Sequence, residues 1–200
     1  MSQIALPLAY KAADGERDFF VSDANSHAVI HLDRWPDWPQ PVALLTGPEG
    51  SGKSHLGRIF ARQTGAEVID DLGETQDDEA VFHAWNRAGE RPLLLISRLP
   101  PPQWQVALPD LRSRLAATPQ VAIAAPDDAL LTAVMAKQFR DRGLTVGPDV
   151  IAYVLARIER SFAKAADVVD RLDTAALAAG RAVTVPLARA VLPEQLDLLE

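Results

Sequence analysis

The sequence predicts an α/β fold: a short parallel sheet followed by a smaller helical domain. Short apolar runs alternate with helical segments in the first 125 residues, as in a parallel sheet covered on both faces. A glycine-rich loop joins the first of those runs to a helix. After Ala125 the alternation stops and helical spacing takes over.

The first ten residues, MSQIALPLAY, stand apart, tethered through the polar stretch from Lys11 to Arg17. A mixed segment leads to Pro36, Pro39 and Pro41, which punctuate the chain before its first strand. The strands expected are Val42 to Thr46, Glu67 to Asp71, Leu93 to Ser97 and Val121 to Ala125. The first helix runs from Lys53 to about Thr64, with Leu56, Ile59 and Phe60 on one side and Gly65 as its stop. A second spans about Gln76 to Ala88, with Thr75 as N-cap, Asp78 completing a capping box and Gly89 ending it. A third covers about Asp110 to Ala117.

In the second part, Pro126, Asp127 and Asp128 open a helix to about Arg142. Pro148 opens another, with Val150, Ile151, Val154, Leu155 and Ile158 on one face. Ser161 caps a third that ends at Gly180. A short strand, Ala182 to Val185, and a turn from Leu187 to Leu192 complete the reading. The units expected are a peptide at 1–10, an α/β domain at 11–125 and a helical domain at 126–200.

Composition narrows the function. The chain has 200 residues and no cysteine, which excludes a disulfide framework, thiolate zinc sites and a cysteine nucleophile. Twenty basic against 27 acidic side chains give a net charge of −7, so duplex DNA or RNA is not expected as the main ligand. No apolar run reaches the roughly 18 residues of a membrane span, and the N-terminus does not read as a signal peptide. Cytoplasmic residence is the expectation. The four histidines show no zinc spacing, and the four tryptophans are scattered.

The strongest chemical signal is Gly47, Pro48, Glu49, Gly50, Ser51, Gly52, Lys53, Ser54, a full Walker A pattern between an apolar strand and a helix. Glycines let backbone N–H groups curl around phosphates, and the helix N-terminus adds partial positive charge. Lys53 is expected to reach the β- and γ-phosphates of ATP, and Ser54 to coordinate Mg²⁺. His55, directly after the loop, joins the candidate nucleotide-binding set. A phosphate loop of this kind needs an acid on a neighbouring strand. Val68, Ile69, Asp70, Asp71 fits, with Asp70 on the metal side and Asp71 orienting water. Lys53 and Asp70 are so close in sequence that only one helix and one strand fit between them.

These residues resemble the AAA+ ATPase part of the DnaA initiator family and its small regulatory relatives. Phe20-Val21 with Asn25 and Ala28 resembles the family's segment near the adenine. Val81 to Arg87 looks like the helix after Walker B, and Leu108 to Leu115 like the box holding the arginine finger, which would be Arg114. Arg157 to Phe162 is similar to the lid helix carrying the sensor 2 arginine, here Arg160. The resemblance implies an AAA+ domain with one strand–helix unit deleted, plus a helical lid that binds ATP or ADP. Leu94 to Pro101 matches the sensor 1 region, but Ser97 or Arg98 stands where an aspartate or asparagine is usual, which implies weak hydrolysis by the chain itself.

Gln3, Ile4, Ala5, Leu6, Pro7, Leu8 resembles the peptide by which relatives bind the replication sliding clamp, the β subunit of DNA polymerase III. Gln3 offers an amide, Leu6 and Leu8 fill an apolar cleft, and Pro7 keeps the stretch extended. Residues 192–200 carry no basic recognition helix, so direct sequence-specific DNA reading is not expected. The resemblance implies a regulator that docks on the clamp and uses Arg114 in trans to stimulate ATP hydrolysis on DnaA, with a homodimer as candidate assembly. A nucleotide-gated adaptor and a small-molecule P-loop kinase are the alternatives.

Overall fold

The computed structural model describes residues 19–73, 77–89 and 91–192. Its first element is a helix, α1 (Ser26–Asp33), in the mixed segment to which the sequence reading assigned no element. The helix buries Ala28, Val29 and Leu32, a stripe too narrow to stand out by periodicity. Before it, the buried Asn25 fastens the chain: its Nδ2 donates to Phe20 O and its Oδ1 accepts from Ser22 N, both at 2.9 Å.

The strands are β1 (Val42–Thr46), β2 (Glu67–Leu72), β3 (Leu93–Ser97) and β4 (Gln120–Ala122). They form one parallel sheet in the order β2-β3-β1-β4. Side chains of β1 and β3 alternate between two cores. Val42, Leu44, Leu93 and Leu95 meet α3 (Asp78–Arg87) and α4 (Pro109–Ala116). Ala43, Leu45, Leu94 and Ile96 meet α1 and α2 (Lys53–Thr64). Burial on both faces explains why these strands read as unbroken apolar runs. The chain passes from β1 through α2 straight to β2, as the spacing of Lys53 and Asp70 requires.

Three expectations change. The expected strand Val121 to Ala125 is shorter, because past Ala122 the chain leaves the sheet and the Ala124 N–H donates to Ala24 O at 2.8 Å. Helix α3 begins at Asp78 and is capped by Asp77, whose Oδ1 accepts from Glu79 N and Ala80 N. Asp78, expected in a capping box, instead accepts from Ala107 N at 2.6 Å and Leu108 N at 3.2 Å, tying α3 to the approach to α4. Thr75 and Gln76 lie outside the described residues. Ala182 to Val185 is not a strand: Val185 opens a helix, with Pro186 in its first turn where a missing N–H costs nothing.

The remaining helices are α5 (Asp128–Asp141), α6 (Pro148–Leu155), α7 (Phe162–Ala179) and α8 (Val185–Val191). Asp127 caps α5 and Ser161 caps α7, while Gly180, with φ 59°, ends α7. Their shared core is built on Leu131, Met135, Phe139, Val154, Phe162 and Leu172. Ala24, just before α1, belongs to that core too, so the N-terminal segment bridges sheet and lid. No helix among the described residues is long and apolar enough to cross a membrane.

Candidate functional site

The loop between β1 and α2 is shaped by its glycines. Gly47 has φ 150°, and a Cβ there would stand 2.8 Å from the Ile123 carbonyl oxygen. Backbone just past β4 thus fixes the first loop residue, and no side chain fits between them. Gly50 and Gly52 have φ 74° and 87°, which turns the loop into the first turn of α2.

Lys53 is only 8% exposed. Its Nζ donates to Gly47 O at 2.8 Å and Pro48 O at 2.6 Å. Burial pushes its pKa below the ordinary lysine value, Asp70 opposes that, and Arg98 adds to it, with Glu49 and Asp71 opposing more weakly. The ammonium therefore rests on the loop's own carbonyls while facing the acids of β2.

Those acids sit where β2 breaks register with β3, between Ile69 and Leu72. Asp71 takes φ 60°, a left-handed conformation that a non-glycine residue holds only when its surroundings enforce it. Two bonds do so: the Asp71 N–H donates to Asp70 Oδ1 at 2.8 Å, and Ser97 Oγ donates to Leu72 O at 2.6 Å. Ser97, expected in the sensor 1 neighbourhood, thus commits its hydroxyl to holding β2. Arg98, the other candidate there, pairs with Glu49 of the loop at 3.3 Å.

One cleft of about 410 Å³ brings together Glu49, Lys53, Ser54, Asp70, Asp71 and Arg98. A second, of about 220 Å³, lies on the other side of the loop, between Gly50–Gly52, the Phe19-Phe20 segment and α5 of the lid. His55 lines it, edge-on to Phe19 at 5.6 Å between ring centres. The lid touches the loop here, since a Cβ on Gly50 would lie 3.1 Å from Phe162 Cβ.

Two expected site residues lie elsewhere. Arg160 is held by Asp128 at 3.1 Å and lines a groove between lid helices; the described lining of neither loop cleft includes it. Arg114 on α4 forks onto Asp110 at 3.0 and 3.2 Å and Asn86 at 2.9 Å, above the Phe82 ring. It stands outside both clefts. Gln3, Leu6, Pro7 and Leu8 fall outside the described residues. Sequence reading missed Gln138, which lines the second cleft; a lone glutamine mid-helix carries no motif.

Among solved structures, the chain is similar to domain III of the Thermotoga maritima replication initiation protein DnaA, with a TM-score of 0.66 and 15% identity, covering 88% of this chain and 94% of that one. A variant of Thermotoga maritima RuvB matches at TM-score 0.61 and 14% identity, over 88% of this chain and 70% of that one. These likenesses establish the fold. A Haemophilus influenzae protein described as uncharacterized is 26% identical over 227 aligned positions, covering 95% of this chain and 98% of that one. Residues 127–192 match the family model described as "Hda, lid domain". Residues 127–192 thus match an Hda-type lid, on a chain whose fold is similar to that of DnaA domain III. The Hda-type lid begins at Asp127, the cap of α5, and ends at Leu192, one residue past α8. It is therefore the Hda-type lid that supplies the wall of the second cleft and the Phe162 contact to the loop.

Proposed function

We propose that this chain binds adenine nucleotide, docks on the DNA-loaded sliding clamp and stimulates ATP hydrolysis by DnaA. The observation that carries the reading is a division of labour. Lys53, Ser54, Asp70 and Asp71 share one cleft, while Arg114 is presented on a different surface. A finger that serves a partner's nucleotide must lie outside its own site.

The residues present fit a Mg²⁺–nucleotide. Positive-φ glycines form a cradle whose first position a Cβ would block. Lys53 would exchange the Gly47 and Pro48 oxygens for phosphate oxygens. Ser54 and Asp70, both hard oxygen donors, would hold Mg²⁺. Among the described residues no cluster of three or more acids or histidines forms a metal site alone, as suits a cation held jointly with phosphates. Asp71 would orient water. When bound, the metal would supply neutralisation of phosphate charge. Arg160 would join on leaving Asp128, a surface pair of the kind that costs little to break. Gln3, Leu6, Pro7 and Leu8 would anchor the clamp, and the cytoplasm is the compartment for such a role.

The test is hydrolysis of DnaA-bound ATP with loaded clamp present. Wild type should accelerate it, and Arg114→Ala should lose at least about 10³-fold of that stimulation. Equal stimulation by both would favour the second reading, a nucleotide-gated adaptor without a catalytic role. One feature supports that alternative: the Ser97 hydroxyl donates to Leu72 O and Arg98 pairs with Glu49, so both sensor 1 candidates are engaged within the chain.

A further inference from the structure

The phosphate loop carries an anion of its own. Glu49, on the loop, pairs with Arg98, just past β3, through Nη2 and Oε2 at 3.3 Å, and both line the first cleft. Strand order says what lies around that pair. Strand β3 stands between β1 and β2, with Ser97 opposite Thr46 on one side and Leu72 on the other. Arg98 is the next residue. It therefore follows β3 between the loop that starts at Gly47 and the acids Asp70 and Asp71. A terminal phosphate held by Lys53 would arrive in this gap. The Ser97 hydroxyl is committed to Leu72 O, so the guanidinium is the polar group left at the tip of β3 to meet it.

The charges favour an exchange of partners. Lys53 and Arg98 are the two cations of the lining, against Glu49, Asp70 and Asp71. The Lys53 pKa is lowered by burial first and also by the charge of Arg98, so the two cations share one field. A guanidinium fork accepts a phosphate as readily as a carboxylate. The present pair is open to solvent, with Arg98 56% and Glu49 71% exposed, so it holds weakly. We propose that Glu49 is an internal surrogate for a terminal phosphate, and that the γ-phosphate of a nucleoside triphosphate displaces it from Arg98. A diphosphate ends one phosphate short and leaves the pair closed. The exchange then makes this cleft select triphosphate over diphosphate, with Glu49 setting how strongly. This inference rests on the nucleotide-binding reading above.

The experiment is equilibrium binding of ADP and of AMPPCP, a triphosphate that resists hydrolysis, each with Mg²⁺. The full chain is used as wild type, Arg98→Gln, Glu49→Gln and the double variant. Both side chains are exposed, so the variants should fold as wild type does. Wild type should prefer AMPPCP by about tenfold, the weight of one charge-assisted hydrogen bond less that of the pair given up. Arg98→Gln should bind the two about equally. Glu49→Gln should raise the preference by about two- to fivefold, the worth of an exposed ion pair. The double variant should match Arg98→Gln, because Glu49 acts through Arg98. Equal affinity of wild type for the two nucleotides overturns the proposal, as does a preference that survives in Arg98→Gln. A rise caused by Glu49→Gln that is as large without Arg98 overturns it too. Wild type that binds neither nucleotide overturns the nucleotide reading itself, and this inference with it.

Discussion

Replacing Gly47 by alanine tests whether the phosphate loop is held by backbone contact or only by glycine's freedom. Two costs arise. The φ of 150° is essentially closed to a residue with a side chain, which costs about 1–3 kcal/mol. The new methyl would also lie 2.8 Å from Ile123 O and 3.1 Å from Ile123 Cβ. Neither can rotate away: the Ile123 N–H is bonded to Thr46 O at 2.8 Å, and its side chain is 2% exposed. Overpacking of that kind costs a further ~1–3 kcal/mol. Gly65→Ala is the matched control, with φ 73° and nothing within 4 Å of a Cβ. There only the left-handed conformation opposes folding, offset in part by the stiffer unfolded chain, about 1 kcal/mol net. For a chain of this size each kcal/mol shifts Tm by roughly 2–4 °C. Gly47→Ala, at about 2–6 kcal/mol in all, should therefore melt about 4–24 °C below wild type and Gly65→Ala about 2–4 °C below, in calorimetry without ligand. If the two variants melt together, the contact between the loop and Ile123 is not what fixes the cradle.

Other outcomes follow from the same structure. Lys53 has its folded pKa below the unfolded value of 10.5, so on approaching that pH the unfolded chain holds a proton the folded one has shed, and stability rises with pH. Urea titrations across the alkaline range should show that rise in wild type and less of it in Lys53→Met; parallel slopes would refute it. Phe139→Ala, at a lid side chain 1% exposed, should cost about 3–5 kcal/mol in chemical denaturation. Asp77→Ala should cost about 1 kcal/mol by thermal melting, through loss of the acceptor for Glu79 N and Ala80 N. No change would return the cap to Thr75.

Legibility in the sequence followed how local each determinant is. Helix α2 was readable to its ends because the loop glycines fix its start and Gly65 its stop. Strands β1 and β3 were readable because burial on both faces demands continuous apolar residues. Ser161 and Gly180 marked α7 by the same local chemistry. The helix α1 was hidden, since its burial depends on Ala28, Val29 and Leu32 meeting a sheet formed later in the chain. Thr75 was the expected cap, and the helix instead starts later, with Asp77 directly before it as the cap. At the site, the glycine loop and its acids were legible as a motif. The commitment of Ser97 to Leu72 was not, because it joins residues 25 positions apart. Nor was the pairing of Arg160 with Asp128, which depends on how lid helices fold back on one another.

Strand β2 has a consequence beyond the site. Among the described residues it has β3 as its one neighbour, so its other flank presents free backbone donors and acceptors. An open flank invites a second copy to add a strand. Glu67, Asp70 and Asp71, all exposed along this strand, work against that, and the left-handed turn at Asp71 bends the ladder out of line. The carboxylates that face the loop lysine thus also act as a guard against self-association. Neutralising them, by acid or by mutation, would remove that guard and favour strand-mediated clumping.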